Sequence, residues 1–441
     1  MKKDYLAEAP VTESYLHMSL PVVAGMMISL IYNLVDIYFI SRTGITELIA
    51  GVSLCTPIFT MLIALGDVFG LGGSSLVSRL LGGKKTEHAV EVSVLTSWAA
   101  LLCGLVTAVL LLLLKTPVLH LLGADESTLP SASAYFHWIA MAAPFVVFCF
   151  VPVNLLRSEG RIKESFIGGA VGSISNIILD PILIFGLKMG AGGAALATFL
   201  AYFIETLYFV AVMITKTEIV RIHPRFLHFR WTDLSEILRI GIPACLTNLV
   251  HSLSVMLTNR QLLAYGNECI AGYGIASRAF MIATMALMGF AFGGQPIIGY
   301  SYGSGNKKRL REIIRCEYRF EISLALAFTL LLFLGAPALL HIMGAGVVLD
   351  KGIMMLRYMS SSLVFMVICL VTGVIFQSVG QAGGALAISV SRQGILFALL
   401  LPLLAHMFGL TGILMTQPVS DVLTSILALI LFQCTVAKEL K

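Results

Sequence analysis

Charge is what this sequence has least of. Only 12% of its 441 residues are Asp, Glu, Lys or Arg, where a soluble domain carries about 25%. That shortage excludes a soluble frame. The net charge of +5 is no sign of nucleic-acid binding, because the basic residues sit in short loops beside apolar runs. Paired cysteine is missing too. Eight Cys are scattered, with Cys55, Cys103, Cys149 and Cys245 inside apolar runs and no CxxC. We expect neither a disulfide framework nor a metal site. No Walker loop is present, which argues against ATP drive within the chain. The alternating ten-residue pattern of an outer-membrane barrel is also absent. No nucleophile, base or metal cluster with usable spacing lies within an apolar run, so a membrane-embedded enzyme is not expected and no cofactor is implied. The start, Met1-Lys-Lys-Asp-Tyr5, does not read as a signal peptide. Asp4, Glu8 and Glu13 precede the first apolar run, and that run is of span length.

What the sequence has instead is apolar surface, 58% of all residues. A span needs roughly 20 apolar residues. Runs at about 17–40, 48–78, 91–114, 133–156, 165–187, 191–214, 238–263, 270–300, 318–340, 355–377, 385–408 and 412–435 predict an all-α integral membrane protein with twelve transmembrane helices. The even-numbered loops hold 17 Lys and Arg (Arg79, Lys84 and Lys85 in the first, Lys307 to Arg319 in the last), and the odd-numbered loops at most 6. By the positive-inside rule the even loops and both termini face the cytoplasm, in a plasma (inner) membrane. These basic clusters are read as topology signals, not substrate contacts.

The chain repeats itself. Leu20-Pro21 opens one span and Ile242-Pro243 another, 222 residues later. Gly72-Gly73 recurs as Gly293-Gly294, and Gly160 as Gly380. We therefore expect an N-terminal six-helix lobe (1–215), a cytoplasmic linker (216–237) and a C-terminal six-helix lobe (238–441). An even number of spans per lobe makes the repeats parallel, a known transporter layout with alternating access by rocking.

The chemistry concentrates in Ser175-Asn-Ile-Ile-Leu-Asp180-Pro181. A carboxylate sunk in a bilayer is a functional-site candidate by default. Asn176 and Asp180, four apart, share a helix face, and Pro181 removes a backbone donor beside them. Helix rise puts Asp36 about 22 Å along its span from Pro21, Asp180 about 21 Å from Phe166, and Thr198 about 10 Å down the next, inward-running span. Asp36, Asn176, Asp180 and Thr198 thus form one candidate oxygen-rich cluster, with Asn33 on the face of Asp36. Two carboxylates at low dielectric suit a proton site, and four or five oxygens suit a small hard cation such as sodium. Structural readings stand beside this: Asp180 holding two helices together, or Asp36 reaching water at the outer interface. The second lobe lacks the cluster, with Thr258 opposite Asp36 and Leu401 opposite Asp180. Asp67 and Glu205 are accessory polar candidates in the inner half, either lining a vestibule or paired. Arg278 and Arg392 read as structural or snorkelling groups, and His251 as a hydrogen-bonded span residue. Gly190-Ala-Gly-Gly-Ala-Ala195 reads as close helix packing.

Several stretches resemble the multidrug and toxic compound extrusion (MATE) family of secondary transporters. They are Asn33-Leu-Val-Asp36, Pro57, Leu156-Arg-Ser-Glu-Gly-Arg161, Asn176-Ile-Ile-Leu-Asp180-Pro181, Gly193-Ala-Ala-Leu-Ala-Thr198 and Gln295-Pro-Ile-Ile-Gly-Tyr-Ser-Tyr-Gly303. The resemblance implies a V-shaped pair of six-helix bundles of the wider MOP superfamily, exporting bulky, often cationic, amphipathic compounds in exchange for protons or sodium. In the branch resembling DinF it implies ion coupling at the positions of Asp36, Asn176, Asp180 and Thr198, with Pro21 as a hinge that bends on protonation; Pro181 is a second candidate hinge. The branch resembling NorM has an acid in span 7. Here that span offers Asn248, His251, Asn259 and Gln261 and no carboxylate in its core, which favours the DinF-like pattern. The expected partners are small organic molecules and the lipid bilayer, not nucleic acid, and the expected working state is a monomer. An alternative is a lipid-linked oligosaccharide flippase of the same superfamily, which asks for a strongly basic cavity.

Overall fold

Backbone in hydrocarbon must satisfy its own hydrogen bonds, which leaves the apolar runs only the helix. The computed structural model describes residues 5–440. Asp4, counted above among the acids ahead of the first span, and the chain ends 1–3 and 441 of the two expected lobes lie outside the described residues. Among the described residues there is no strand. Eleven helices among the described residues are long and apolar enough to span a bilayer: α1 (Val11–Ile40), α2 (Leu48–Gly82), α3 (Thr86–Leu113), α4 (Leu129–Ser158), α5 (Ile162–Gly186), α6 (Gly190–Thr215), α7 (Trp231–Tyr265), α8 (Asn267–Gly303), α9 (Lys307–Ile342), α11 (Ala382–Phe408) and α12 (Leu410–Leu440). The remaining span, α10, is the pair Gly346–Ser361 and Leu363–Ser378, bent by 44° at their junction. The chain is an all-α, multi-pass membrane protein.

Several helices run past the apolar segment that announces them. α1 starts at Val11, α7 at Trp231 and α9 at Lys307, against sequence starts near 17, 238 and 318. The extra turns of α9 are Lys307, Lys308, Arg309, Leu310 and Arg311, good helix formers that need no oil. Asn306 caps them by accepting the Arg309 N–H at 3.0 Å. Hydropathy registers the part of a helix that lipid covers, not the part that water covers.

Packing divides the chain into two units, Ala24–Gly241 and Met1–Val23 with Ile242–Lys441. In the first, α4 is the central post, with 78% of its apolar window buried. Small residues let its neighbours close in: a Cβ on Gly70 of α2 would stand 2.6 Å from the Phe150 carbonyl oxygen, and one on Gly104 of α3 2.6 Å from Pro144 Cα. The start of α7 belongs to this unit, where Ile237 and Gly241 press on α2 at Gly72 and Val68. The start of α1 belongs to the second unit, where Ser19 presses on Gly293 of α8. Both unit boundaries fall within two residues of the repeat prolines, Pro21 and Pro243.

The segment 216–237 is strapped to the first unit. The Glu159 carboxylate accepts the N–H groups of Glu218, Ile219 and Val220 at 3.0, 3.4 and 3.3 Å. Trp98 donates to the Ile222 carbonyl at 3.0 Å. Glu91 pairs with Arg230 at 2.9 Å, and Arg79 with Glu236 at 2.7 Å.

Candidate functional site

The site is assembled from α1, α5 and α6. α6 opens with Gly190-Ala-Gly-Gly-Ala-Ala195, and α5 approaches so closely that a Cβ on Gly193 would lie 2.9 Å from the Leu183 carbonyl. Past Pro181 the α-helix gives way to a π turn, Ile182–Gly186. Proline has no N–H to return to the preceding turn, so the ladder loosens directly after Asp180.

Asn176, Asp180 and Thr198 are buried, Asp180 with no exposure at all. One orientation of the Asn176 amide satisfies both of its ends: its nitrogen donates to Asp180 Oδ2 at 2.7 Å, and its oxygen accepts the Thr198 N–H at 3.2 Å. Thr198 in turn donates its hydroxyl to the Ala194 carbonyl at 3.1 Å. The Asp36 and Asp180 carboxyls face each other within hydrogen-bonding reach. Each keeps one buried oxygen, Oδ1, with no donor. Ionised carboxylates only accept, so this pair is complete when one acid carries a proton or a cation lies between them. Asp36, Asp180, Asn176 and Thr198 supply four oxygen-bearing side chains, and no basic residue is among them.

Three tyrosines complete the surroundings, and sequence reasoning missed them. Tyr32 reaches the Thr198 hydroxyl and lies near Asp36, Asp180 and Glu205. Tyr135 of α4 lies near Asp36 and Tyr32, and Tyr202 near Tyr32 and Glu205. A signal existed: Tyr32 precedes Asp36 by one turn and Tyr202 follows Thr198 by one turn. Glu205 extends the cluster along α6, with its carboxylate against Gly172, where a Cβ would stand 2.3 Å from Oε2. Asn33 is exposed and donates to its own helix at Ser29, 2.7 Å away, so it stands apart from the buried group. Asp67 lies near Arg157, outside the cluster. Pro21 sits inside an unbroken stretch of α1.

The second unit has different chemistry. Thr258 donates to the Ser254 carbonyl at 2.9 Å, and Leu401 is in an apolar core. Arg392 is paired with the buried Asp421 at 2.8 Å, and Gln417 donates to the same oxygen at 2.7 Å. His251 shares a hydrogen bond with Gln393 at 2.9 Å. Sequence reasoning overlooked Asp421. Among the described residues no group of three or more His, Cys, Asp or Glu is arranged to hold a metal.

The MatE family model matches this chain twice, over residues 21–182 and 243–403. The chain is 31% identical over 429 residues to "Multidrug export protein MepA" of Staphylococcus saprophyticus, spanning 97% of this chain and 94% of that protein. It is 30% identical over 431 residues to the protein of the same name from Staphylococcus aureus strain MRSA252, with the same coverage. Two solved structures superpose closely. One is described as "Crystal structure of MATE in the straight conformation" (TM-score 0.94, 25% identity, 100% of this chain and 99% of that one). The other is described as "Outward-facing conformation of a multidrug resistance MATE family transporter of the MOP superfamily" (TM-score 0.93, 25% identity, 100% and 99%).

Proposed function

The chain belongs to the MatE family, and on that premise we propose that it is a secondary antiporter, not an enzyme. It exports small organic compounds, often cationic and amphipathic, from the cytoplasm in exchange for protons bound between Asp36 and Asp180. Sodium is the alternative coupling ion at the same oxygens. The observation that carries this reading is the facing pair of carboxyls in the first unit, each with a buried oxygen that no donor reaches. The export role follows the names of the MepA relatives.

In the mechanism we propose, an incoming proton binds the pair and lets the two acids sit together. Its loss leaves two negative charges in a low dielectric, which repel and drive Asp36, and with it α1, away from Asp180. Asn176 and Thr198 hold Asp180 in place, so α1 is the element that moves. Pro21 and Pro181, each lacking a ladder donor, are where helices give way. Coupling thus resides in the first lobe, as in the DinF-like pattern. We place the protein as a monomer in the inner membrane with both termini in the cytoplasm, on the Lys/Arg bias of its loops. The flippase alternative asks for free positive charge, and Arg392 is already neutralised by Asp421.

The test is efflux of a fluorescent organic cation from proteoliposomes under imposed proton or sodium gradients. Asp36→Asn and Asp180→Asn should each abolish gradient-driven uphill transport while the protein still inserts and binds the dye. Uphill export that persists in both variants removes the coupling site. Drive by sodium alone, lost in both variants, assigns the same site to sodium.

A further inference from the structure

A second group of buried acids lies in the second unit, away from the site above. Glu317 and Glu321 of α9 are four residues apart, share a face and are both fully buried. Neither Glu317 oxygen has a hydrogen-bond partner, nor does Glu321 Oε2. Glu321 Oε1 accepts the Tyr15 hydroxyl from α1 at 3.5 Å. On the α8 side Glu317 lies so close to the main chain that a Cβ on Gly294 would stand 2.9 Å from Oε1 and 3.0 Å from Oε2.

What surrounds the pair is neutral or acidic. α1 contributes Tyr15 and Ser19, and the Ser19 hydroxyl donates to the Phe290 carbonyl at 3.2 Å. α8 contributes Phe290 and Gly294. On α9 itself Cys316 and Tyr318 flank Glu317, and Tyr318 is engaged with Thr372 of α10 at 2.6 Å. The nearest basic residues of the same helix, Arg315 and Arg319, are exposed. Among the described residues no Lys, Arg or His side chain bears on either acid.

The internal repeat supplies a control. Gly73 is the counterpart of Gly294, and a Cβ there would meet Thr96, the counterpart of Glu317, at 2.6 Å. Ala100 stands for Glu321 and Ile237 for Tyr15. All three are fully buried, and Thr96 satisfies itself on the Val92 carbonyl at 2.7 Å. The same three-helix junction therefore packs without any acid. The fold does not need Glu317 and Glu321, and two buried carboxylates with three of their four oxygens lacking a donor are costly.

We propose that Glu317 and Glu321 form a second proton-binding site, with Tyr15 as its link to α1. A proton requires no room, which suits an acid packed against a glycine backbone. With the proton bound, the pair hydrogen-bonds and the start of α1 stays seated on α8 and α9. With it lost, two carboxylates face one another and Tyr15, and that seat weakens. This site does not depend on the Asp36–Asp180 reading.

The test uses the full-length protein in lipid nanodiscs, in the Asp36→Asn/Asp180→Asn background so that the first site is silent. Infrared absorption of protonated carboxyl groups is recorded across a pH series, with Glu317→Gln, Glu321→Gln and the pair Glu317→Thr/Glu321→Ala. We expect a protonated-carboxyl band at neutral pH that weakens in either Gln variant and loses a full proton's intensity in the Thr/Ala pair. Melting temperature gives a second readout. A proton held in the fold and released on unfolding makes stability fall as pH rises, and that slope should be lost in the variants, which remain folded because the repeat tolerates Thr and Ala. Unchanged band intensity and an unchanged melting slope overturn the proposal. So does a band that disappears on adding sodium at fixed pH, which would make the site a sodium site.

Discussion

At the scale of single residues, function and structure ask opposite things of an acid. Asp125, between the short helix Lys115–Leu121 and α4, is well supplied with donors. Its Oδ1 accepts the Thr128 N–H at 2.8 Å, the Thr128 hydroxyl at 2.8 Å and the Ser127 hydroxyl at 2.8 Å. Those donors, the Thr128 backbone first, lower its pKa from 3.8 to about 2. A carboxylate held low in the fold stabilises it above its usual range, and that contribution is lost as pH falls from 3.8 toward 2. Asp125→Ala should therefore raise amide exchange at Ser127 and Thr128 at neutral pH and make little difference in strong acid. The half-buried Asp36 and the buried Asp180, Glu317 and Glu321 are the reverse, acids with buried oxygens that no donor reaches. Sequence reasoning found the first two because Asn and Pro flank Asp180 in an apolar run. It passed over the second two because Glu317 and Glu321 sit in a stretch rich in charge, Arg315 to Glu321, which reads as a solvated face. The burial that gives them meaning comes from the preceding helix, α8, and from α1, 306 residues away in the chain at the Tyr15–Glu321 contact.

At the scale of helices, small residues decide which surfaces meet. Gly70→Ala would drive a methyl into the Phe150 carbonyl and the Asn154 amide. Overpacking of that kind costs about 1–3 kcal/mol, so the melting temperature of the purified protein should drop by several degrees. Gly169→Ala on α5 meets nothing within 4 Å and should hold or raise it, since alanine stiffens the unfolded chain by about 0.4–1 kcal/mol. A composition count treats these two glycines alike. The number of spans and their order were legible from apolar run length. Their ends were not, because charged turns such as Lys307–Arg311 continue a helix into water. The π turn after Pro181 was legible as a weakness in the ladder but not as a change of helix type.

At the scale of the molecule, the strap 216–237 is held by charge-assisted bonds to Glu159. Glu159→Ala should open it, with trypsin cleaving at Arg221 and Arg225 about tenfold faster, as the loss of ~1.5 kcal/mol allows. Cleavage at the wild-type rate would mean that Trp98 and Glu91 suffice. The sequence by itself determined that the protein lives in a membrane, that its chain is two similar halves, and that an acid stands beside the proline of α5 within an apolar run. These are statements about transfer of side chains into oil and about periodicity, which need no partner. Only the tertiary structure decided which half the start of each repeat packs with, that Asp36 meets Asp180 while Asn33 does not, that three tyrosines gather round them, and that a second pair of acids is buried. Those depend on helix faces meeting across hundreds of residues, where close approach at glycine, not local propensity, sets what touches what.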